Sequence, residues 1–157
     1  MENTKKRSEK AAELFVQGYN CAQAVAGAFA DLTDIDFETL MKLSSSFGGG
    51  IGGLREGCGA VSGMAIILGI LKGYSSPDDY DGKKEHYANI QHLANKFKEK
   101  YETIICRELL EGIKKATDNV PEKRTEEYYK VRPCVRFVIT AAEILEEYLI
   151  SGGNKNV

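Results

Sequence analysis

Four cysteines are the residues of this sequence best suited to chemistry: Cys21, Cys58, Cys106 and Cys134. They lie far apart along the chain and no two form a CxxC pair. Their spacing therefore indicates neither a thioredoxin-type motif nor a zinc ribbon. Because a thiolate is both a nucleophile and a metal ligand, a metal or cluster site and a thiol–disulfide site are both open. Four unrelated cysteines that pack as small apolar side chains are the plain alternative.

Composition narrows the setting in which these thiols work. The chain of 157 residues has a formal net charge of −2, and we expect residues 1–157 to form a single domain. This charge gives no basic surface for nucleic acid, and no apolar run is long enough for membrane insertion or a signal peptide. We therefore predict a cytoplasmic protein and leave a homo-oligomer open. Stable disulfides are rare in that compartment, which favours metal, cluster or redox chemistry.

The elements that must position the cysteines are helical. Apolar residues recur at helical spacing and period-2 alternation is nearly absent, which predicts an all-α fold. We expect a compact bundle of five to seven helical segments, with a Gly-rich loop before a central buried helix. In the first part of the chain we predict a helix broken at Gly18, N-caps at Asn20 and Asp36, and the Gly-rich loop over 47–63. The central helix follows over 61–71, and a charged helix over about 79–101. A short helix over about 106–111 then precedes a polar loop that ends near Arg132, and the last helix begins at Pro133.

Each cysteine falls in, or next to, the first turn of a predicted helix. Helix N-termini carry unpaired N–H groups and the positive end of the helix dipole, which stabilise a thiolate over a thiol. One helix end contributes at most about 1–2 kcal/mol, so several ends must act together. The placement predicts that Cys21, Cys58, Cys106 and Cys134 converge on one thiolate site.

The Gly-rich loop formally contains G-x-G-x-x-G at Gly48, Gly50 and Gly53. No strand precedes it and no βαβ pattern surrounds it, so a dinucleotide site is excluded. Its glycines instead indicate close backbone approach, either to a neighbouring helix or to a cluster or ligand beside the second cysteine. Arg55 and Glu56 in this loop either bracket a small anionic partner or are solvated loop charges.

The segments around the cysteines are similar to those of a known family. The chain resembles the C-GCAxxG-C-C proteins, which are regarded as redox-active because of their cysteines. Four elements carry the resemblance: GYNCAQAV, then FGGGIGG with CGAVSG after it, then CRELL, and finally PCVRFVITAAEIL. The central CGAxxG motif is complete here as Cys58, Gly59, Ala60 and Gly63. The resemblance covers nearly the whole chain and preserves the order of the four elements.

This resemblance implies a redox-active site formed by all four cysteines. A similar domain in split-Soret cytochromes implies a 2Fe–2S cluster ligated by Cys21, Cys58, Cys106 and Cys134, and an electron-transfer protein rather than an enzyme with a known reaction. The absence of C-x-x-C-H excludes covalent c-type haem. A metal-free thiol–disulfide protein and a zinc-binding interaction module remain the alternatives. We expect an unidentified redox partner protein, and cofactor contacts from these motif residues: Gly57, Gly59, Ala60 and Gly63.

Overall fold

A computed structural model describes residues 5–113, 115 and 119–153. This part contains eight α-helices, one short 3-10 turn and no strand, so the predicted all-α class is confirmed. The helices are α1 (Arg7–Val16), α2 (Cys21–Gly27), α3 (Phe37–Ser45), α4 (Gly59–Lys72), α5 (Tyr80–Tyr101), α6 (Cys106–Leu109), α7 (Glu126–Val131) and α8 (Cys134–Ile150). Their number exceeds the expected five to seven. The sequence predicts a polar loop at 126–131, but this segment is a helix whose N-terminus is capped by the Thr125 side chain.

Side-chain caps fix where the early helices begin. Asn20 and Asp36 are N-caps, as predicted. Asn20 forms a capping box with Gln23: its Oδ1 accepts the Gln23 N–H at 2.9 Å, and Gln23 Oε1 accepts the Asn20 N–H at 3.1 Å. Two otherwise unpaired donors at the N-terminus are thereby satisfied, and α2 begins at Cys21.

The short helix α2 lies at the centre of the bundle, where it packs against α1, α3, α4 and α8. Its most extensive contact is with α4, whose glycines permit close packing of the two helices. A Cβ on Gly63 would lie 2.8 Å from Val25 Cβ and 2.9 Å from the Ala22 carbonyl oxygen. Ala22 and Val25 are fully buried, so neither can move aside easily.

The predicted central helix is confirmed as α4, which has Met64, Ile67 and Leu68 in the core. It contacts α5 and α8, and α8 also packs on α1. None of the described helices is long and apolar enough to cross a membrane.

We predict that Gly63→Ala destabilises the fold by about 1–3 kcal/mol, because the added methyl group overpacks the contact between α2 and α4. Urea unfolding followed by circular dichroism measures the change in the free energy of unfolding.

Gly69→Ala on the same helix is the matched control. A Cβ there would meet only His86 Nε2, at 4.0 Å, so the substitution is sterically allowed. Replacing a helical glycine with alanine stabilises by up to about 1 kcal/mol. Equal stabilities for the two variants would contradict the proposed packing constraint.

Candidate functional site

All four cysteines lie at helix starts, as predicted. Cys21, Cys106 and Cys134 are the first residues of α2, α6 and α8, and Cys58 is the N-cap of α4. All four are free thiols and line one cavity of about 480 Å³. The structure therefore brings all four predicted site cysteines to one cavity, and their action as a single thiolate site stays a prediction.

A short backbone pairing holds Cys58 beside Cys106. Gly57 and Ile105 form an isolated antiparallel bridge. The Cys58 N–H donates to the Ile104 carbonyl at 2.7 Å, and the Cys106 N–H donates to the Glu56 carbonyl at 2.5 Å. The two cysteines thus enter the cavity from adjacent backbone segments.

Two glycines leave room for the thiols. Gly50 has φ +70°, and a Cβ there would lie 2.7 Å from Cys106 Cβ. A Cβ on Gly59 would lie 3.1 Å from Cys21 Cβ and 3.0 Å from the Phe47 carbonyl oxygen. The Gly-rich loop and the α4 N-terminus therefore approach both a neighbouring helix and the cysteines themselves.

Cys21 and Cys134 form a hydrogen-bonded thiol pair. The hydrogen bond from Cys21 lowers the pKa of Cys134 to about 7, and the nearby charge of Arg132 also favours the thiolate. The same hydrogen bond, together with burial, raises the pKa of Cys21 well above its ordinary value. The pair therefore shares one proton near neutral pH, with the negative charge on Cys134.

The other two thiols stay protonated at neutral pH. Burial raises the pKa of Cys58 to about 12, although the nearby backbone N–H groups of Val61 and Ala60 oppose the shift. Burial also raises the pKa of Cys106, and Arg55 opposes the shift, with its Nη1 3.9 Å from the Cys106 sulfur. The helix N-termini are thus too weak to offset desolvation at these positions.

Three arginines line the same cavity: Arg55, Arg124 and Arg132. Arg55 was a candidate from the sequence, whereas the other two were not, because they lie in the segment interpreted as a polar loop. Arg132 sits two residues before the cysteine that begins the last helix, and that proximity was a usable signal. Glu122 also lines the cavity and forms ion pairs with Arg132 and, at 3.8 Å, with Arg55 Nη2.

The motif residues expected to contact a cofactor have different surroundings. Gly59 lines the cavity, and the backbone N–H of Ala60 lies near the Cys58 sulfur, where it favours the thiolate. Gly57 lies in the backbone bridge, and Gly63 packs against α2. The cofactor role of these four residues stays a prediction.

The mutual arrangement of the thiols bears on whether they could hold a metal ion. Within residues 5–113, 115 and 119–153, no three side chains of His, Cys, Asp or Glu are arranged to hold one metal ion. A structural zinc site needs four ligands around one ion, so such a site is not preformed here. A two-iron cluster takes four thiolates shared between its irons, and four thiols line this cavity.

Comparison with protein families gives one match. The family model described as "Putative redox-active protein (C_GCAxxG_C_C)" matches residues 19–148, which include all four cysteines. The chain belongs to this family. Comparisons with curated proteins and with solved structures give no match. In this C-GCAxxG-C-C protein, the four named cysteines of the motif are the four thiols of the cavity.

We predict that the metal-free, reduced protein shows one thiolate titrating near pH 7. The charge forms as pH rises through about 7, because Cys134 has the lowered pKa. Thiolate absorbance in the ultraviolet, recorded against pH, measures this step.

Three variants assign the step to the hydrogen-bonded pair. Cys134→Ala removes it, and Cys21→Ala moves it to higher pH because the largest stabilising hydrogen bond is lost. Cys58→Ala leaves it near pH 7. A titration that Cys21→Ala does not change would contradict the shared-proton arrangement.

Proposed function

We propose that this chain is a thiol–disulfide redox protein with Cys134 as the attacking thiolate and Cys21 as the resolving thiol. The observation that carries the proposal is geometric: Cys21 and Cys134 are free thiols at the starts of α2 and α8 that line one cavity. The interaction within this pair also lowers the pKa of Cys134 to about 7. A thiol whose pKa lies near the ambient pH is partly ionised, and its thiolate is still strongly nucleophilic. Such a thiol is the best attacking group for thiol–disulfide exchange. The reducing, cytoplasmic setting expected from the sequence would hold the pair as a dithiol between turnovers.

The exchange runs in two balanced steps with a disulfide substrate. The Cys134 thiolate attacks one substrate sulfur, the substrate S–S bond breaks, and the departing thiolate takes the Cys21 proton. The Cys21 thiolate then attacks the Cys134 sulfur and expels the second half of the substrate as a thiolate. This thiolate takes a proton from solvent. Two electrons pass to the substrate, which is reduced to two thiols, and Cys21 and Cys134 are oxidised to a disulfide. A dithiol-bearing redox partner would reverse the process.

We expect mild oxidation by a small disulfide at pH 7 to produce a Cys21–Cys134 bridge that peptide mass spectrometry can map. Cys134→Ser should slow thiol release from the substrate at least about tenfold, since the remaining thiols are protonated at that pH. Cys21→Ser should instead trap the mixed disulfide on Cys134.

Cys58→Ser is the matched control, since it removes a cavity thiol outside the proposed pair. It should leave both the bridge and the rate of exchange intact. A bridge between any other two cysteines, or unchanged exchange in Cys134→Ser, would overturn the proposal.

A 2Fe–2S cluster held by Cys21, Cys58, Cys106 and Cys134 is the second candidate. Its specific support is that all four thiols line the same cavity together with arginine side chains. A bound cluster would supply electron transfer, at a potential set by its surroundings. The Val61 and Ala60 N–H groups would then donate to ligand sulfur, and the arginines would offset the negative charge of the thiolates.

Anaerobic purification after growth with iron separates the candidates. The cluster candidate predicts visible absorbance with equal amounts of iron and sulfide, reduced severalfold by each single Cys→Ser change. Gly69→Ala, which changes α4 away from the cavity, should retain full cluster content. A colourless protein with free thiols would exclude the cluster, and stoichiometric zinc would indicate the zinc-binding alternative.

A further inference from the structure

The cavity beside the proposed redox pair is rich in positive charge. Among its described lining residues, the charged side chains are Arg55, Arg124, Arg132 and the single carboxylate of Glu122. Three guanidinium groups against one carboxylate leave an excess of positive charge beside the attacking thiol. A cleft of this kind attracts anions and raises their local concentration.

Arg55 has donors that the described protein does not satisfy. Its Nε is buried and has no hydrogen-bond partner among the described residues. Among the described residues, its Nη1 and Nη2 make only long contacts, at 3.9 Å to the Cys106 sulfur and 3.8 Å to Glu122. The side chain is 18% exposed, so water reaches little of it. Unmade hydrogen bonds of a buried arginine are costly, and an oxyanion would satisfy them.

Glu122 shows that a carboxylate fits between two of the guanidinium groups. One of its oxygens pairs with Arg132 and the other lies near Arg55. Arg132 is only 4% exposed and Glu122 only 16% exposed, so the carboxylate is held inside the wall. The internal carboxylate therefore marks the place where the carboxylate of a ligand would bind.

Arg124 has a different role. Its Nη1 and Nη2 donate to the carbonyls of Phe15 and Tyr19 at 3.0 and 3.1 Å, and its guanidinium lies 4.3 Å from the Phe15 ring centroid. These contacts attach the segment before α7 to the end of α1. The anion site consequently consists of Arg55 and Arg132.

We infer that the cavity selects small disulfides that carry a carboxylate, with Arg55 and Arg132 binding the carboxylate while Cys134 attacks the substrate sulfur. This inference rests on the proposed thiol–disulfide function and names the substrate class of that site. The ligand carboxylate displaces Glu122 from the two guanidinium groups, and electron and proton transfer follow the two steps given above. A cavity of about 480 Å³ is of the size that holds a small molecule.

Three small disulfides of similar size test the charge selection on the wild-type protein. Dithiodipropionate carries two carboxylates, bis(hydroxyethyl) disulfide carries no charge, and cystamine carries two ammonium groups. The rate at which each disulfide reacts with the reduced protein is measured anaerobically at pH 7. It is then divided by the rate at which the same disulfide reacts with mercaptoethanol, which corrects for differences in the intrinsic reactivity of the three disulfides. We expect the normalised rate to be at least about tenfold higher for dithiodipropionate than for the neutral disulfide, and lowest for cystamine.

Side-chain variants locate the preference. Arg55→Gln should abolish the preference for the dianion, and Glu122→Gln should increase it severalfold by removing the competing carboxylate. Arg107→Gln is the control: Arg107 is 55% exposed and pairs with Glu56. It is absent from the described lining of the cavity. Thermal unfolding confirms that each variant is folded before its rates are compared.

Binding of glutarate, an unreactive dicarboxylate, gives a second readout by calorimetry. We expect binding to wild type and Arg107→Gln, and loss of binding in Arg55→Gln. Equal normalised rates for the three disulfides would overturn the charge selection and leave the thiol–disulfide function intact. Failure of all three to react would overturn the proposed function and this substrate class together.

Discussion

The close packing of α2 on α4 is the constraint on which the site depends. Gly63 lets α4 approach Val25 of α2, and Gly59 lets the start of α4 approach Cys21. Because α8 also packs against α2, the same short helix brings Cys21 to Cys134. A larger side chain at either glycine would separate α2 from α4. It would therefore move Cys21 relative to the other thiols, even though no sulfur had been changed.

Burial divides the four thiols into two kinds. Desolvation raises the pKa of Cys58 and Cys106, and the N–H groups at the start of α4 do not reverse this. Cys134 differs because it receives a hydrogen bond from Cys21 and lies near the charge of Arg132. The four thiols of the metal-free protein therefore carry at most about one negative charge near neutral pH. Ligation of a metal by all four sulfurs would have to displace the protons of the other three thiols.

The sequence was sufficient to predict that each cysteine lies at the start of a helix. Asn20 carries a local cap signal, and the CGAxxG motif marks the α4 N-terminus, so both could be predicted without tertiary information. The pairing of Cys21 with Cys134 could not, because it depends on how α2 and α8 pack. The helix α7 was missed since it has only 6 residues in a polar segment, and its arginine neighbours were missed with it.

Glu122 makes the cavity better suited to thiol–disulfide exchange than to a 2Fe–2S cluster. A cluster ligated by four thiolates carries net negative charge, so a carboxylate beside it would weaken the compensation that the arginines provide. In a thiol–disulfide site the same carboxylate is useful. In the absence of substrate it offsets one positive charge shared between Arg132 and Arg55, and it can give way to a ligand carboxylate that makes the same ion pairs. Exchange of one carboxylate for another leaves the charge beside Cys134 nearly constant, so its thiolate would remain available while substrate binds.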